Sequence, residues 1–342
     1  MTLKDIAEIA NTSVSTVSRS LNDSDLVAEE TKQRIKAIAH EHGFEFNASA
    51  RGLVTNSTGT IGVILPENFD RFDVQLYHAA LHNDFRKSLE RADKDMIVAF
   101  LHNRFTGHRN IEKLVSRKKV DGLIIVQSRI DAETNRYLTQ NDIPFVMTQF
   151  PPADPTPGYD VVYSDNWTGG KLVAEHFLER GFTRIACMTG GAEPQSEQRL
   201  AGFLDTLSAA GTEVEPELIY TGDYQSETAV ERVREHAEAF RRVDALFTVN
   251  DLMAFGAMQA FHAEGWRVPE DIAIAGYDDT PLASITVPGL TSIHQSREEI
   301  ALLSCELLFD LIEARSRGES RHRPPRTIAI QPRLIARAST ER

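Results

Sequence analysis

Carboxylates in pairs are the first chemistry this sequence offers. Asp251 follows Asn250, and Asp278 and Asp279 stand side by side; brought together, three such groups could serve as acid, base or magnesium ligands. They lack the company that turnover needs. No Ser-His-Asp spacing or nucleophile elbow occurs, and no G-x-G-x-x-G or G-x-x-x-x-G-K-[ST] loop follows an apolar run. His78 and His82 have the i, i+4 spacing of helical metal ligands. Without a nearby third ligand or an HExxH motif they are expected on a solvated face, and no metal or cofactor is assigned. Cys187 and Cys305 both lie in apolar stretches and cannot build a disulfide framework, so a reducing, cytoplasmic setting is expected.

A second cluster is rich in hydroxyls. Ser13, Ser15, Thr16 and Ser18 precede or flank Arg19, a set that bonds phosphate oxygens and base edges with little net charge. Helices must position it. Leu3, Ile6, Ala7 and Ala10 fall on one helical face, with Thr2 as N-cap and Asp5 three residues on. After Asn11 and Thr12, Ser13 caps a second helix through Val14, Val17, Ser18 and Leu21. A third helix is expected over 29–42, with Ile35, Ile38 and Ala39 on its apolar face and Phe44 closing a small core. Two short helices across a tight turn plus a supporting third read as helix-turn-helix, or else as a three-helix protein-interaction module.

Charge argues for local contact only. The chain carries 37 Lys+Arg and 50 Asp+Glu for a net of -13, which disfavours a protein that coats nucleic acid or anionic lipid with its whole surface. Residues 1–60 hold six basic and eight acidic side chains, hence -2. No run approaches the ~20 apolar residues of a membrane span, and the amino end lacks a signal-like apolar stretch. At 342 residues, two or three folded units are expected. From Thr60 onward, apolar runs at 60–65, 96–101, 122–126, 145–148, 185–189, 245–249 and 272–276 alternate with amphipathic segments. That alternation predicts parallel sheets covered on both faces, with ligands bound beyond the strands' carboxyl ends.

The ordered series Leu3-Lys4-Asp5-Ile6-Ala7, Ser13-Val14-Ser15-Thr16-Val17-Ser18-Arg19, Leu21-Asn22, Glu29-Glu30-Thr31, Gly43-Phe44, Asn47, Ala50-Arg51-Gly52-Leu53 and Thr58-Gly59-Thr60-Ile61-Gly62-Val63 closely resembles the lactose-repressor family. The likeness continues more loosely to Arg337-Ala338-Ser339-Thr340. It implies an all-α helix-turn-helix headpiece (1–45), a hinge helix and linker (46–58), and a periplasmic-binding-protein-like α/β region (59–342) of two doubly wound subdomains. The expected subdomains are 59–162 with 293–325 and 163–290 with 326–342. By the same resemblance Thr2, Ser13, Val14, Ser15, Thr16, Ser18, Arg19 and Asn22 face DNA, Val14 and Ser15 reading bases. Asn47, Ala50, Arg51 and Leu53 would lie in the minor groove, with Leu53 wedged into a central step. A segment this short, weakened by Gly52, needs an external surface to become helical.

In the cleft, the resemblance assigns effector contacts to Arg199, Asn250, Asp278, Gln295, Tyr224, Gln149 and Phe72. Arg199 would offer paired donors, Asn250 both a donor and an acceptor, and Asp278 a carboxylate for vicinal hydroxyls. Asp251 could equally cap the following helix, and Asp279 could stabilise the turn before Pro281. Two departures stand out. Asn11 and Thr12 replace the usual Gly and aliphatic pair, and Ala28 replaces a capping Ser, costing on the order of 0.5–2 kcal/mol. The expected function is a ligand-responsive repressor of a carbohydrate-use operon. It would bind an inverted-repeat operator in double-stranded DNA as a homodimer, since no heptad tail follows the final strand. A sugar or sugar derivative is the expected effector and a nucleobase the runner-up. An α/β enzyme built on the three carboxylates, or a solute-binding protein, is the alternative.

Overall fold

Caps that act within three residues begin the chain. In the computed structural model, which describes residues 1–22, 24–44, 57–66, 76–127, 129–152, 158–319 and 323–341, helix α1 spans Leu3–Ile9. Its N-cap Thr2 accepts from the Asp5 amide while the Asp5 side chain accepts from the Thr2 amide, a complete capping box. Asn11 takes the left-handed turn conformation, φ 49°, which its short polar side chain tolerates. Helix α2 (Val14–Leu21) starts from Ser13, whose hydroxyl accepts the Thr16 amide. Helix α3 (Glu29–Glu41) starts from Ala28 without a side-chain cap. Ile6, Ala7, Ala10, Val17, Ile35 and Ala39 form the headpiece core, with Leu21, Ile38 and Phe44 packed against it.

Beyond the linker the chain builds two sheets. The first contains β1 (Thr60–Leu65), β2 (Asp95–Phe100), β3 (Gly122–Val126), β4 (Phe145–Gln149), β5 (Asp160–Ser164) and β11 (Thr327–Ile330), in the order β11-β5-β4-β3-β1-β2. All five of its pairings are parallel. The second contains β6 (Ile185–Thr189), β7 (Ile219–Thr221), β8 (Ala245–Thr248), β9 (Ala273–Tyr277), β10 (Thr291–His294) and β12 (Arg333–Ile335), in the order β12-β10-β9-β8-β6-β7. Only the β10–β12 pairing is antiparallel. Strands β3, β4, β6 and β9 are buried at every residue, as parallel strands covered on both faces must be.

Helices supply that cover. In the first lobe α4 (Leu76–Arg91) and α12 (Arg297–Ser316) pack on one face, and α5 (Asn110–Ser116) and α6 (Ala132–Gln140) on the other. The second lobe is covered by α7 (Asn166–Glu179), α8 (Pro194–Ala209), α9 (Ser226–Glu235), α10 (Ala237–Phe240) and α11 (Asp251–Ala263) around one core that includes Phe177, Phe203, Phe240, Phe247 and Phe261.

The chain crosses between lobes after Ser164, after His294 and after Ile330. This corrects the expected subdomain limits. Residues 163 and 164 complete β5 in the first sheet, 293 and 294 belong to β10 in the second, and 327–330 return to the first as β11 beside β5. The cause is the closing edge strands. They are short, and β11 takes its place through pairing with β5 rather than through any pattern of its own, exposed at Thr327 and Ala329. Strands β5, β7 and β10 to β12 likewise carry no apolar run that marks them in advance.

Candidate functional site

The hydroxyl cluster of α2 lies on its outer face. Ser13, Val14, Ser15 and Arg19 are exposed, Val14 at 43%, whereas Val17 and Ser20 are fully buried. The hydroxyls form a local network, Ser13 Oγ lying 2.7 Å from Ser15 Oγ and 2.8 Å from Thr16 Oγ1. Two of the expected DNA contacts also have structural work. Thr2 caps α1, and the Asn22 amide donates to the Ser18 carbonyl at 2.8 Å where α2 ends. Asn47, Ala50, Arg51 and Leu53 lie outside the described residues, as does Phe72.

Linker residues meet the first lobe at Asp121, which the sequence reading did not single out. Its carboxylate accepts from Ser57 Oγ (2.7 Å), the Thr58 amide (2.6 Å), Thr58 Oγ1 (2.9 Å) and the Gly59 amide (2.8 Å). One side chain at the start of β3 therefore fixes the exit of the linker.

Between the lobes is a cavity of about 280 Å³. It opens where the sheets present their strand ends, the crevice that open α/β sheets reserve for ligands. Gln149 ends β4, Asn250 begins α11 two residues after β8, Asp278 follows β9 and Gln295 follows β10. All four line the cavity, together with Arg199 and Tyr224. Gln149 (φ 80°), Tyr224 (φ 67°) and Asp278 (φ 115°) all hold left-handed backbones. Such conformations cost roughly 1–3 kcal/mol each and gather where side chains must be aimed.

A one-directional hydrogen-bond chain ties the lobes across this cavity. The Tyr77 hydroxyl donates to Gln149 Oε1 (2.8 Å), Gln149 Nε2 donates to Gln295 Oε1 (3.2 Å), and Gln295 Nε2 donates to Asp278 Oδ1 (2.6 Å). Tyr77 and Gln149 belong to the first lobe and Asp278 to the second. Burial pushes the Tyr77 phenol far up, which keeps it a donor. The same burial raises Asp278, while the Arg199 guanidinium 3.8 Å away pulls it back down.

Arg199 is 4% exposed and does not project to solvent as a helical arginine usually does. Its Nε donates to Asn166 Oδ1 (2.9 Å), its Nη1 donates to the Val249 carbonyl (2.7 Å), and its guanidinium carbon lies 3.7 Å over the Tyr277 ring centre. Glycines permit this. A Cβ at Gly170 would lie 1.9 Å from the Arg199 carbonyl oxygen, and one at Gly202 would lie 1.9 Å from that of Trp167. Helices α7 and α8 thus touch backbone to backbone, which brings Asn166 within reach of Arg199.

The acidic residues divide their roles by burial. Asn250, not Asp251, caps α11: its Oδ1 accepts the Met253 amide and its Nδ2 donates to the Tyr224 carbonyl. Asp251 is fully buried and accepts from the Thr280 amide (2.7 Å), Thr280 Oγ1 (3.0 Å) and Ser292 Oγ (2.5 Å), which fixes the turn bearing Asp278. Burial and the neighbouring Asp278 charge raise its pKa. Asp279 accepts from Arg337 Nη2 (2.6 Å) and lies 2.9 Å from His294 Nδ1, away from the cavity. The three carboxylates therefore do not converge on one reaction centre.

His78 is corrected too. It lines the cavity instead of a solvated face, and burial lowers its pKa to about 4, so the ring is neutral. Among the described residues no group of three His, Cys, Asp or Glu side chains could hold a metal, and no helix is long and apolar enough to cross a membrane. Glu193, Gln195, Asp223, Gln225, Phe150 and Phe255 also line the cavity unforeseen. Only Gln195 and Glu193, next to the helix-opening Pro194, had a positional signal in the sequence.

A helix-turn-helix headpiece joined to two lobes with a polar cleft between them is the build of a ligand-responsive DNA-binding regulator. Residues 2–47 match the family described as bacterial regulatory proteins, lacI family, and residues 174–340 a periplasmic binding protein-like domain. The chain is 30% identical over 340 residues to the ribose operon repressor of Escherichia coli strain K12, covering 99% of both chains. It is 29% identical to the HTH-type transcriptional repressor PurR of Aliivibrio salmonicida, covering 100% of this chain and 99% of that one. A transcriptional regulator CelR-cellobiose complex matches with TM-score 0.72 at 28% identity over 99% of both chains. The lac repressor dimer bound to operator and the anti-inducer ONPF matches with TM-score 0.78 over 99% of both chains, and at 23% identity speaks for the fold alone. The chain belongs to the lacI family of bacterial regulatory proteins. It is a ligand-responsive DNA-binding transcriptional repressor and not an enzyme.

Proposed function

We propose that this chain represses a carbohydrate-use operon in the cytoplasm, binding an inverted-repeat operator as a homodimer and holding a sugar or sugar derivative between its lobes. The observation that carries the effector site is the strand-end cavity, where left-handed Gln149, Tyr224 and Asp278 present polar groups and the Tyr77-to-Asp278 chain joins the lobes. Arg199, Asn250, Asp278, Gln295, Tyr224 and Gln149 are the proposed effector contacts. Ser13, Val14, Ser15, Thr16, Ser18 and Arg19 form the proposed DNA face, supported by the exposure of α2. Thr2 caps α1, and Asn22 closes α2.

A ligand that closes the lobes changes the placement of Asp121 and thereby of the linker it grips. An effector that prefers one arrangement ~100-fold contributes about 2.7 kcal/mol to that choice. Whole-length similarity to PurR repressors supports a nucleobase-related effector as the second reading. Fluorescence anisotropy of the full chain on labelled genomic inverted repeats, with and without added sugars, tests the proposal. Preference for one repeat, altered by a sugar, is the expected result; equal affinity for all DNA would refute it.

A further inference from the structure

Donors and acceptors in the cavity wall are unequal in number and in availability. Among the described residues three carboxylates line it, Glu193, Asp223 and Asp278, against one guanidinium, Arg199. That guanidinium already serves Asn166, the Val249 carbonyl and the Tyr277 ring. The Asn250, Gln149 and Gln295 amides donate to protein acceptors, and the Thr280 hydroxyl donates to Asp251. Acceptors are left over. Gln195 Oε1, Gln225 Oε1 and the Tyr224 hydroxyl are buried without a hydrogen-bond partner, Gln195 being only 8% exposed; the two amide oxygens can only accept, whereas the hydroxyl can accept or donate. A buried polar atom so placed is costly until a bound molecule supplies its partner.

An anion meets the opposite situation. The start of α8 beside the cavity would ordinarily favour a phosphate through its free amides and its dipole. Here the Glu193 carboxylate stands at that end, and Pro194 at the first helical position has no N–H to offer. The volume of about 280 Å³ lies near the lower limit of small-molecule sites, enough for one or two small rings.

We infer that the effector is an uncharged molecule rich in hydroxyl or N–H donors, and that its phosphorylated or carboxylated analogues are excluded from the cleft. Neutral sugars and neutral nucleosides share this chemistry. The inference rests on the reading of the cavity as the effector site.

The test pairs neutral and anionic probes on the full chain. D-ribose, D-glucose, cellobiose and adenosine are compared with D-ribose 5-phosphate, D-glucose 6-phosphate, D-glucuronate and adenosine 5′-monophosphate, by thermal shift and calorimetric titration. A neutral member is expected to bind at least ~10-fold more tightly than its anionic partner; whether sugar or nucleoside responds separates the two sources. An anionic member that binds as well as its parent, or better, overturns the inference. Glu193→Lys, at an exposed position whose side chain makes no cap bond, is the second arm. It should narrow the neutral-to-anionic ratio several-fold while the fold is retained, and an unchanged ratio counts against the electrostatic cause. Operator binding is measured separately without probes, so a chain that ignores inverted repeats fails the regulator reading and leaves the charge selectivity to be judged by itself.

Discussion

Gly202→Ala sets two opposing effects against each other inside one helix. Alanine in place of a mid-helix glycine ordinarily gains about 1 kcal/mol of helix propensity. At Gly202, however, the new Cβ would lie 1.9 Å from the Trp167 carbonyl oxygen and 3.0 Å from the Trp167 Cα. A carbon and an oxygen at ordinary contact are separated by ~3.3 Å, so α7 and α8 must part by more than about 1 Å. The Arg199 to Asn166 hydrogen bond, now 2.9 Å, then stretches past useful length. Overpacking of this kind costs roughly 1–3 kcal/mol, and a hydrogen bond to a charged group contributes about 1.5–3 kcal/mol. The clash outweighs the propensity gain, for a net loss of about 1.5–5 kcal/mol. Urea unfolding of the full chain measures that loss, and calorimetric titration measures the effector affinity, expected to fall more than ~10-fold. Ala201→Gly on the exposed neighbouring position is the control. It should lose about 1 kcal/mol through propensity with effector affinity unchanged. A Gly202→Ala protein that is stabilised and binds effector normally would refute the claim that the two helices meet backbone to backbone.

Other expectations follow from the same contacts. Ala28→Ser should restore a cap at α3 and stabilise the headpiece by about 1 kcal/mol, read as slower amide exchange across α3 in the full chain; unchanged exchange speaks against an uncapped end. Asp121→Ala removes the acceptor of four hydrogen bonds to residues 57–59 and should cost about 1–3 kcal/mol locally. Its decisive readout is the effector's influence on operator anisotropy, which should shrink; an undiminished response would show that the linker exit is held by other means. For His78 the folded pKa, about 4, lies below the unfolded 6.5. Below pH 6.5 the unfolded chain therefore takes up a proton that the folded chain refuses, so this contribution is complete above 6.5 and is lost as pH falls toward 4. His78→Gln should flatten the acid branch of the stability curve by at most about 2 kcal/mol at pH 5, and parallel wild-type and variant curves would contradict the burial of the ring.

Local chemistry explains why the headpiece was legible. The Thr2–Asp5 capping box, the Ser13 cap, the left-handed Asn11 and the uncapped Ala28 all act within a few residues, and each is found where the sequence put it. Runs such as 122–126 and 185–189 announced themselves as buried parallel strands because both faces are covered by helices. The cavity residues Arg199, Asn250, Asp278, Gln295, Tyr224 and Gln149 came from family resemblance, since no spacing within the chain reveals that strand ends a hundred residues apart share one crevice.

Short-range pattern thus marked three headpiece helices, an alternating α/β region and no phosphate loop after any apolar run, while family resemblance was needed to read the helices as helix-turn-helix and the α/β region as two subdomains. Tertiary structure alone decided which lobe each closing strand joins, that Asn250 caps while Asp251 is buried behind Asp278, and that Arg199 turns inward. Caps and periodicity depend on neighbours three or four residues away. The site depends on how closely α7 and α8 can approach and on the burial that follows, and neither distance nor dielectric is written in the linear order of residues.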